Sequence, residues 1–207
     1  MSYFTKLIFP GGIYNKKYSK FLKWSFLSNV LVSIESAMAT NNMLNAIGSE
    51  DTTDYRTLNY IGKDIIGQMG GILYMAKMSE KADGQPKQFL IYSHIIQQSS
   101  YMLMASTSMA DPYLFLPIAG FANIFSNISF TGYGAINAKC IQEMSRNNMG
   151  EMYAKITTVN TTASSVGLLI GVGICTLVPD DTTRLGIMPF IGLARVYSFN
   201  KAIEDLI

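Results

Sequence analysis

Three long stretches of this chain carry no formal charge, and that absence limits its fold more than any other feature. Residues 88–110, 112–138 and 156–179 contain no Asp, Glu, Lys or Arg. Each is longer than the roughly 20 residues needed to cross a hydrocarbon core as a helix. A fourth stretch, 24–49, carries only Glu35, and a fifth, 58–76, carries only Lys63 and Asp64. A shorter apolar run, 185–194, opens a final amphipathic segment that continues toward Ile207. Charged residues make up 14% of the 207-residue chain, against about 25% in an ordinary soluble domain. A soluble surface needs charge to cover it, whereas a bundle in lipid does not. Mean hydropathy is only +0.21, because Ser, Thr, Asn and Gly are spread through the apolar stretches.

Strands fit these stretches poorly. Period-2 alternation is absent, and the runs are long and uninterrupted. Turn chemistry falls between them, at Pro10-Gly11-Gly12, Gly48-Ser49-Glu50-Asp51, Asp83-Gly84-Gln85-Pro86, Asp111-Pro112 and Pro179-Asp180-Asp181. The expected fold is all-α: one membrane-embedded domain over 1–207, with about five long helices and a shorter C-terminal helix. Asp51 or Thr53 is expected to cap the second helix, and Asp83 or Gln85 the third.

Small residues at four-residue spacing suggest how the helices pack. Ala163, Gly167 and Gly171 form one ladder and Gly67 and Gly71 another. Such ladders let backbones approach closely where lipid removes the usual hydrophobic drive. Asn123 and Asn127 share a helix face, and Asn160 lies in a charge-free stretch. Buried polar groups of this kind need partners across helices or a wet cavity. Intramembrane charge is rarer and marks candidate function. Lys63 and Asp64 are adjacent, about 100° apart on a helix, so direct pairing is not expected. Glu35 is the partner expected for Lys63. Glu151 and Lys155 have the favoured i,i+4 order for a local pair.

Several function classes find no support. A net charge of +2 and the lack of a basic stripe argue against nucleic-acid binding. Cys140 and Cys175 sit in apolar surroundings without metal-ligand spacing. With one histidine and no nucleophile–base set, neither a metal site nor an enzyme is expected. No cofactor is expected either, structural lipids aside.

The same residues carry a family resemblance. Phe9-Pro10-Gly11-Gly12 with Tyr18 and Trp24, then Lys63-Asp64 with Gly67 and Gly70, form two blocks. Phe115, Pro117, Ala122 and Asn123 form a third, and Asn148, Glu151, Ala154 and Lys155, followed by Gly167 and Gly171, a fourth. In this order they resemble the root UVB sensitive family over about residues 7–178. The resemblance implies links to vitamin B6 homeostasis and seedling development, in plastids and other membranes, and implies no agreed catalytic activity. A pyridoxal-phosphate site at Lys63 or Lys155 would need a phosphate cup and a partner for the ring nitrogen; neither is evident.

The departures from the family pattern remove polar groups. Leu90 and His94 stand where members carry Arg and Asp, Gln97 and Gln98 where Asn-Asp is common, and Thr158, Val159 and Asn160 where Ser-Gln-Glu is usual. The long carboxy-terminal region of many members is also missing. The leading expectation is therefore a non-catalytic membrane scaffold or accessory subunit of a larger membrane complex, surrounded by lipid. The alternative is a carrier for vitamin B6 or another small solute, for which Glu35, Lys63, Asp64, Asn123 and Asn160 are the candidate polar set. An organelle membrane is expected, the mitochondrial inner membrane first and the plastid or endoplasmic reticulum membrane after it.

Overall fold

The computed structural model describes residues 16–48, 53–145 and 147–206, and among these every regular element is helical. Six helices follow in order: α1 (Lys16–Gly48), α2 (Thr53–Gly84), α3 (Pro86–Ser106), α4 (Phe115–Met144), α5 (Met149–Leu177) and α6 (Asp181–Ile203). Two short 3-10 turns, Thr107–Met109 and Pro112–Leu114, join α3 to α4. The final helix, at 23 residues, is shorter than α1, α2, α4 and α5, as expected, and close in length to the 21-residue α3. It begins at Asp181 because Asp180 caps it, accepting from the Thr183 backbone N–H at 2.7 Å. Gln85 holds the N-cap of α3 without a side-chain bond, and Pro86 opens that helix. Thr53 is the first residue of α2 rather than its cap. Phe9, the Pro10-Gly11-Gly12 turn and Asp51 lie outside the described residues, whereas Tyr18 and Trp24 of the first block lie in α1.

Contacts fix the directions of the helices. Lys20 of α1 meets Glu204 just past α6, and Asn45 at the far end of α1 meets Asp181 at the start of α6, so these two helices are antiparallel. α5 runs parallel to α1: Asn160 meets Ser25, and Gly171 sits over Ile34 and Ala37. α3 and α4 form an antiparallel hairpin, with Ser100 Oγ donating to the Ala122 carbonyl at 2.7 Å. α2 lies parallel to α4 and packs mainly there. The core runs in three buried clusters along α1, the largest around Tyr18, Phe21, Leu90, Ile136, Cys140 and Ile156.

Both small-residue ladders lie at helix seams. A methyl placed on Gly167 would strike the Val30 carbonyl oxygen and Ser33, and one on Gly171 would lie 2.6 Å from the Ala37 methyl. On α2, Gly67 sits against Asn123 and Gly71 against Asn127 of α4. Ala163 is fully buried in the cluster beside α1.

Two stretches are long and apolar enough to cross a membrane, Pro112–Met144 and Met149–Leu177, each of mean hydropathy 1.4. Only 28% and 17% of their apolar windows are buried, whereas a core helix of a soluble protein would be mostly covered. Leu169, Val172, Leu177 and Phe130 point outward. The charge-free stretch 88–110 is different. Its helix ends at Ser106, and Ser93, His94, Gln97 and Ser100 are buried against neighbouring helices. Only that face lies inside the bundle, while Ile91, Tyr92 and Ile95 on the other face stay exposed.

Candidate functional site: a buried arginine beside a polar cavity

α6 carries two arginines, Arg184 and Arg195, eleven residues apart and so on nearly one face. Both are enclosed, at 1% and 0% exposure. Burying a guanidinium is costly unless its charge and donors find partners, so the partners of each define its role.

Arg184 is saturated. Its Nε donates to Asn42 Oδ1 at 2.9 Å, and its Nη1 to the Cys175 and Val178 carbonyls at 3.2 and 3.0 Å. Its Nη2 pairs with Asp181. Cys175 lies in the last turn of α5, Val178 caps that helix, and Asn42 belongs to α1. One planar fork therefore pins α1, α5 and α6 together at one end of the bundle.

Arg195 is paired but less completely satisfied. Its Nε lies 3.2 Å from Glu35 Oε2, and both side chains are at 0% exposure. Nη1 donates to Gln97 Oε1, and Nη2 to Gln98 Oε1 at 3.1 Å. The guanidinium carbon stands 5.8 Å from the Tyr101 ring centre. Yet neither oxygen of Glu35, nor Arg195 Nε, nor Gln98 Nε2, makes a hydrogen bond of good geometry among the described residues. Glu35 lies 19 residues after the first residue of α1, about 28 Å along a 1.5 Å rise, so the pair sits at mid-depth. Gly192 makes room for it: a methyl there would strike the Gln98 carboxamide.

A groove of about 380 Å³, open on one side and with more apolar than polar surface, adjoins this pair between α1, α4 and α5, with Gln97 of α3 and Phe199 of α6 on its wall. Apart from Val32, Phe130, Gly134 and Phe199, every lining residue carries a hydroxyl or a carboxamide, and none is charged. Asn160 organises one wall, where its Oδ1 accepts from Ser25 Oγ and Asn29 Nδ2, each at 3.2 Å. Tyr133 lies on the opposite wall, backed by His94, whose Nδ1 is bonded to the tyrosine hydroxyl. The His94 Nε2 atom has no hydrogen-bond partner among the described residues. Gln97 links cavity and ion pair: it lines the one, and its Oε1 receives Arg195 from the other.

Of the polar residues marked in the sequence, the groove gathers Asn160 and Gln97, and Glu35 stands one side chain behind it. Lys63 and Asp64 pair with each other at 2.6 Å, against expectation. The long Lys63 stem swings around the helix to reach its neighbour, and its ammonium lies 4.0 Å from the Tyr60 ring centre. Glu35 is accordingly not the partner of Lys63. Asn123 completes that cluster, donating to Asp64 Oδ1 at 2.8 Å and to the Lys63 carbonyl at 3.1 Å. Asn127 donates back to the Asn123 carbonyl at 2.9 Å. The group ties α2 to α4. Glu151 and Lys155 form their local pair at 3.0 Å. Cys140 is buried and Cys175 half-buried, and neither is in a disulfide.

The two α6 arginines were missed by sequence reasoning. The available signal was the pair of cations that bracket the apolar run 185–194, Arg184 before it and Arg195 after it. On a helix expected to be amphipathic it reads as solvated flank.

Fold and site together define an all-helical chain with apolar outward faces, glycine-packed seams and a paired charge at mid-depth. The chain belongs to the vitamin B6 photo-protection and homoeostasis domain family, which it matches over residues 3–206; this is the family of the root UVB sensitive proteins. It is 27% identical to root UVB sensitive protein 4 of Arabidopsis thaliana over 178 residues, 84% of this chain and 34% of that protein. It is 25% identical to root UVB sensitive protein 6 of the same plant, over 90% of this chain and 38% of the relative. RUS family member 1 of Dictyostelium discoideum is 22% identical, over 78% of this chain and 32% of its own length. The chain thus spans about a third of the relatives it matches. No solved structure matches it.

Proposed function

We propose that the chain is a membrane-embedded binding unit for a small polar solute, acting as a carrier or carrier core in vitamin B6 homeostasis. The observation that carries this reading is the uncharged, open groove at mid-depth, where hydroxyl and carboxamide side chains gather and Gln97 joins them to the buried Glu35–Arg195 pair. Such side chains among apolar-faced helices are costly to leave facing lipid unless something polar meets them. The reading assigns no catalytic step.

Orientation follows from charge. The parallel and antiparallel pairings bring the starts of α1, α3 and α5 and the ends of α4 and α6 to one end of the bundle. Lys20, Lys23, Lys87, Lys139, Lys155 and Lys201 lie there, together with Glu143, Glu151, Glu204 and Asp205, whereas Asp111, Asp180 and Asp181 lie at the other. The lysine-rich end is assigned to the side from which the helices insert. The organelle, with the mitochondrial inner membrane as first choice, belongs to this proposal.

A second reading, an accessory subunit of a larger membrane assembly, is favoured by α2. Leu58, Ile61, Ile65, Met69 and Ile72 form an exposed stripe along its length, suited to a neighbouring helix or to lipid.

Reconstitution separates the two readings. Proteoliposomes holding the full chain should accumulate labelled pyridoxine in counterflow above protein-free vesicles. Absence of uptake, together with migration in a larger complex on native gels, would favour the accessory reading.

A further inference from the structure

We infer that the cavity selects an uncharged, ring-bearing solute with hydroxyl substituents, and rejects its phosphate ester. The inference rests on the solute-binding reading above and specifies what that site takes.

The lining gives the first argument. Hydroxyls and carboxamides can each donate and accept, as solute hydroxyls and ring nitrogens require. A phosphate needs several donors and a counter-charge, and no lining residue supplies a positive charge.

The nearest cation gives the second. Arg195 is fully enclosed and ion-paired with Glu35, and its Nη atoms donate to Gln97 and Gln98. A phosphate entering the cavity would meet the carboxamide of Gln97, with Arg195 already neutralised behind it. Helix N-termini, the other common phosphate cradle, are also distant. Asn29, Gln97, Thr157 and Asn160 all lie at least two turns into their helices.

The walls give the third. Tyr133 and Phe199 present ring surfaces packed edge-on at 5.3 Å, and the largely exposed Phe130 stands at the open mouth. A flat ring can lie against them while the α1 and α5 polar groups bind its edge. A volume of about 380 Å³ is near the small end of ligand pockets, which suits a single substituted ring.

The test is equilibrium dialysis of the full chain, purified in mild detergent, against labelled pyridoxine and pyridoxine 5′-phosphate. The expected result is saturable pyridoxine binding, with the phosphate ester weaker by roughly a hundredfold, the scale set by an uncompensated charge at this depth. Equal or tighter binding of the ester would overturn the inference and leave the solute-binding reading standing. Binding of neither compound would overturn both. Asn160→Leu and, separately, Ser164→Leu place bulk in the cavity, and each should abolish pyridoxine binding. Ser164→Leu guards against misfolding, since Asn160 also bridges α1 and α5. Folded variants that bind pyridoxine as the parent does would overturn the assignment of the site.

Discussion

Arg184 and Arg195 lie on one face of one helix, are equally buried, and are held in different ways. Arg184 divides its donors among an amide, two backbone carbonyls and a carboxylate, and so closes three helices over one end of the bundle. Arg195 meets a single carboxylate and two glutamines, leaving unmatched polar atoms around it and a cavity one residue away. A saturated buried charge has finished its work in holding the fold. Arg195 is neutralised by Glu35, while Gln98 Nε2 and the Glu35 oxygens around it lack hydrogen bonds among the described residues. Depth agrees with this division, because Arg184 sits in the first turn of α6 and Arg195 in its middle.

The comparison can be broken most forcefully at Arg195. Arg195→Met leaves Glu35 charged and alone in the interior, which should cost about 3–5 kcal/mol. The double variant Glu35→Gln/Arg195→Met should recover most of that loss, read as the thermal midpoint in detergent. If the double variant were as unstable as the single one, Arg195 would be a structural clamp like Arg184. Arg184→Lys comes next. An ammonium cannot span the four acceptors, so a loss of about 2–3 kcal/mol is expected. Pyridoxine binding, measured below the midpoint, should stay near the parent value.

A smaller effect tests the seam that both arginines depend on. Gly167→Val drives a side chain into the α1 backbone and should cost about 1–3 kcal/mol. The same change at Gly173, where nothing lies within 4 Å, should be far milder, and equal losses would argue that α5 is not seated on α1 by close backbone contact. The smallest effect belongs to the exposed clasp at the lysine-rich end. Lys201 and Lys20 hold the Glu204 carboxyl below its ordinary range, and bonds to Asp205 and Glu204 raise the Lys20 ammonium. The carboxylate contribution is present above the ordinary glutamate value and lost as pH falls through the lowered one. The ammonium contribution is present below the ordinary lysine value and lost as pH rises through the raised one. A pH series on Glu204→Gln should therefore differ from the parent by a small, salt-sensitive margin between those limits, and converge with it in strong acid.

Much of the frame could be read from the residues. The absence of charge over 112–138 and 156–179 marks the two apolar helices, and Gly67, Gly71, Gly167 and Gly171 mark the seams, because spacing alone sets which side a helix residue faces. The site was harder to see. Glu35 stood out as a charge in an apolar stretch, but its partner is 160 positions away, and helix periodicity carries no information about which helices become neighbours. The stretch 88–110 was ambiguous for a related reason, since lack of charge does not separate the face buried by Ser93, His94, Gln97 and Ser100 from the exposed face of Ile91, Tyr92 and Ile95. Lys63 and Asp64 show a third limit. Backbone angle put them apart, and a flexible lysine stem brought them together.

All of these comparisons assume that the apolar faces of α4 and α5 meet lipid. Alkaline carbonate extraction of membranes from cells expressing the full chain tests that claim most directly. The account predicts that the chain stays in the pellet and is released only by detergent. Its appearance in the carbonate supernatant would contradict the membrane-embedded reading on which the roles of Arg195 and the cavity depend.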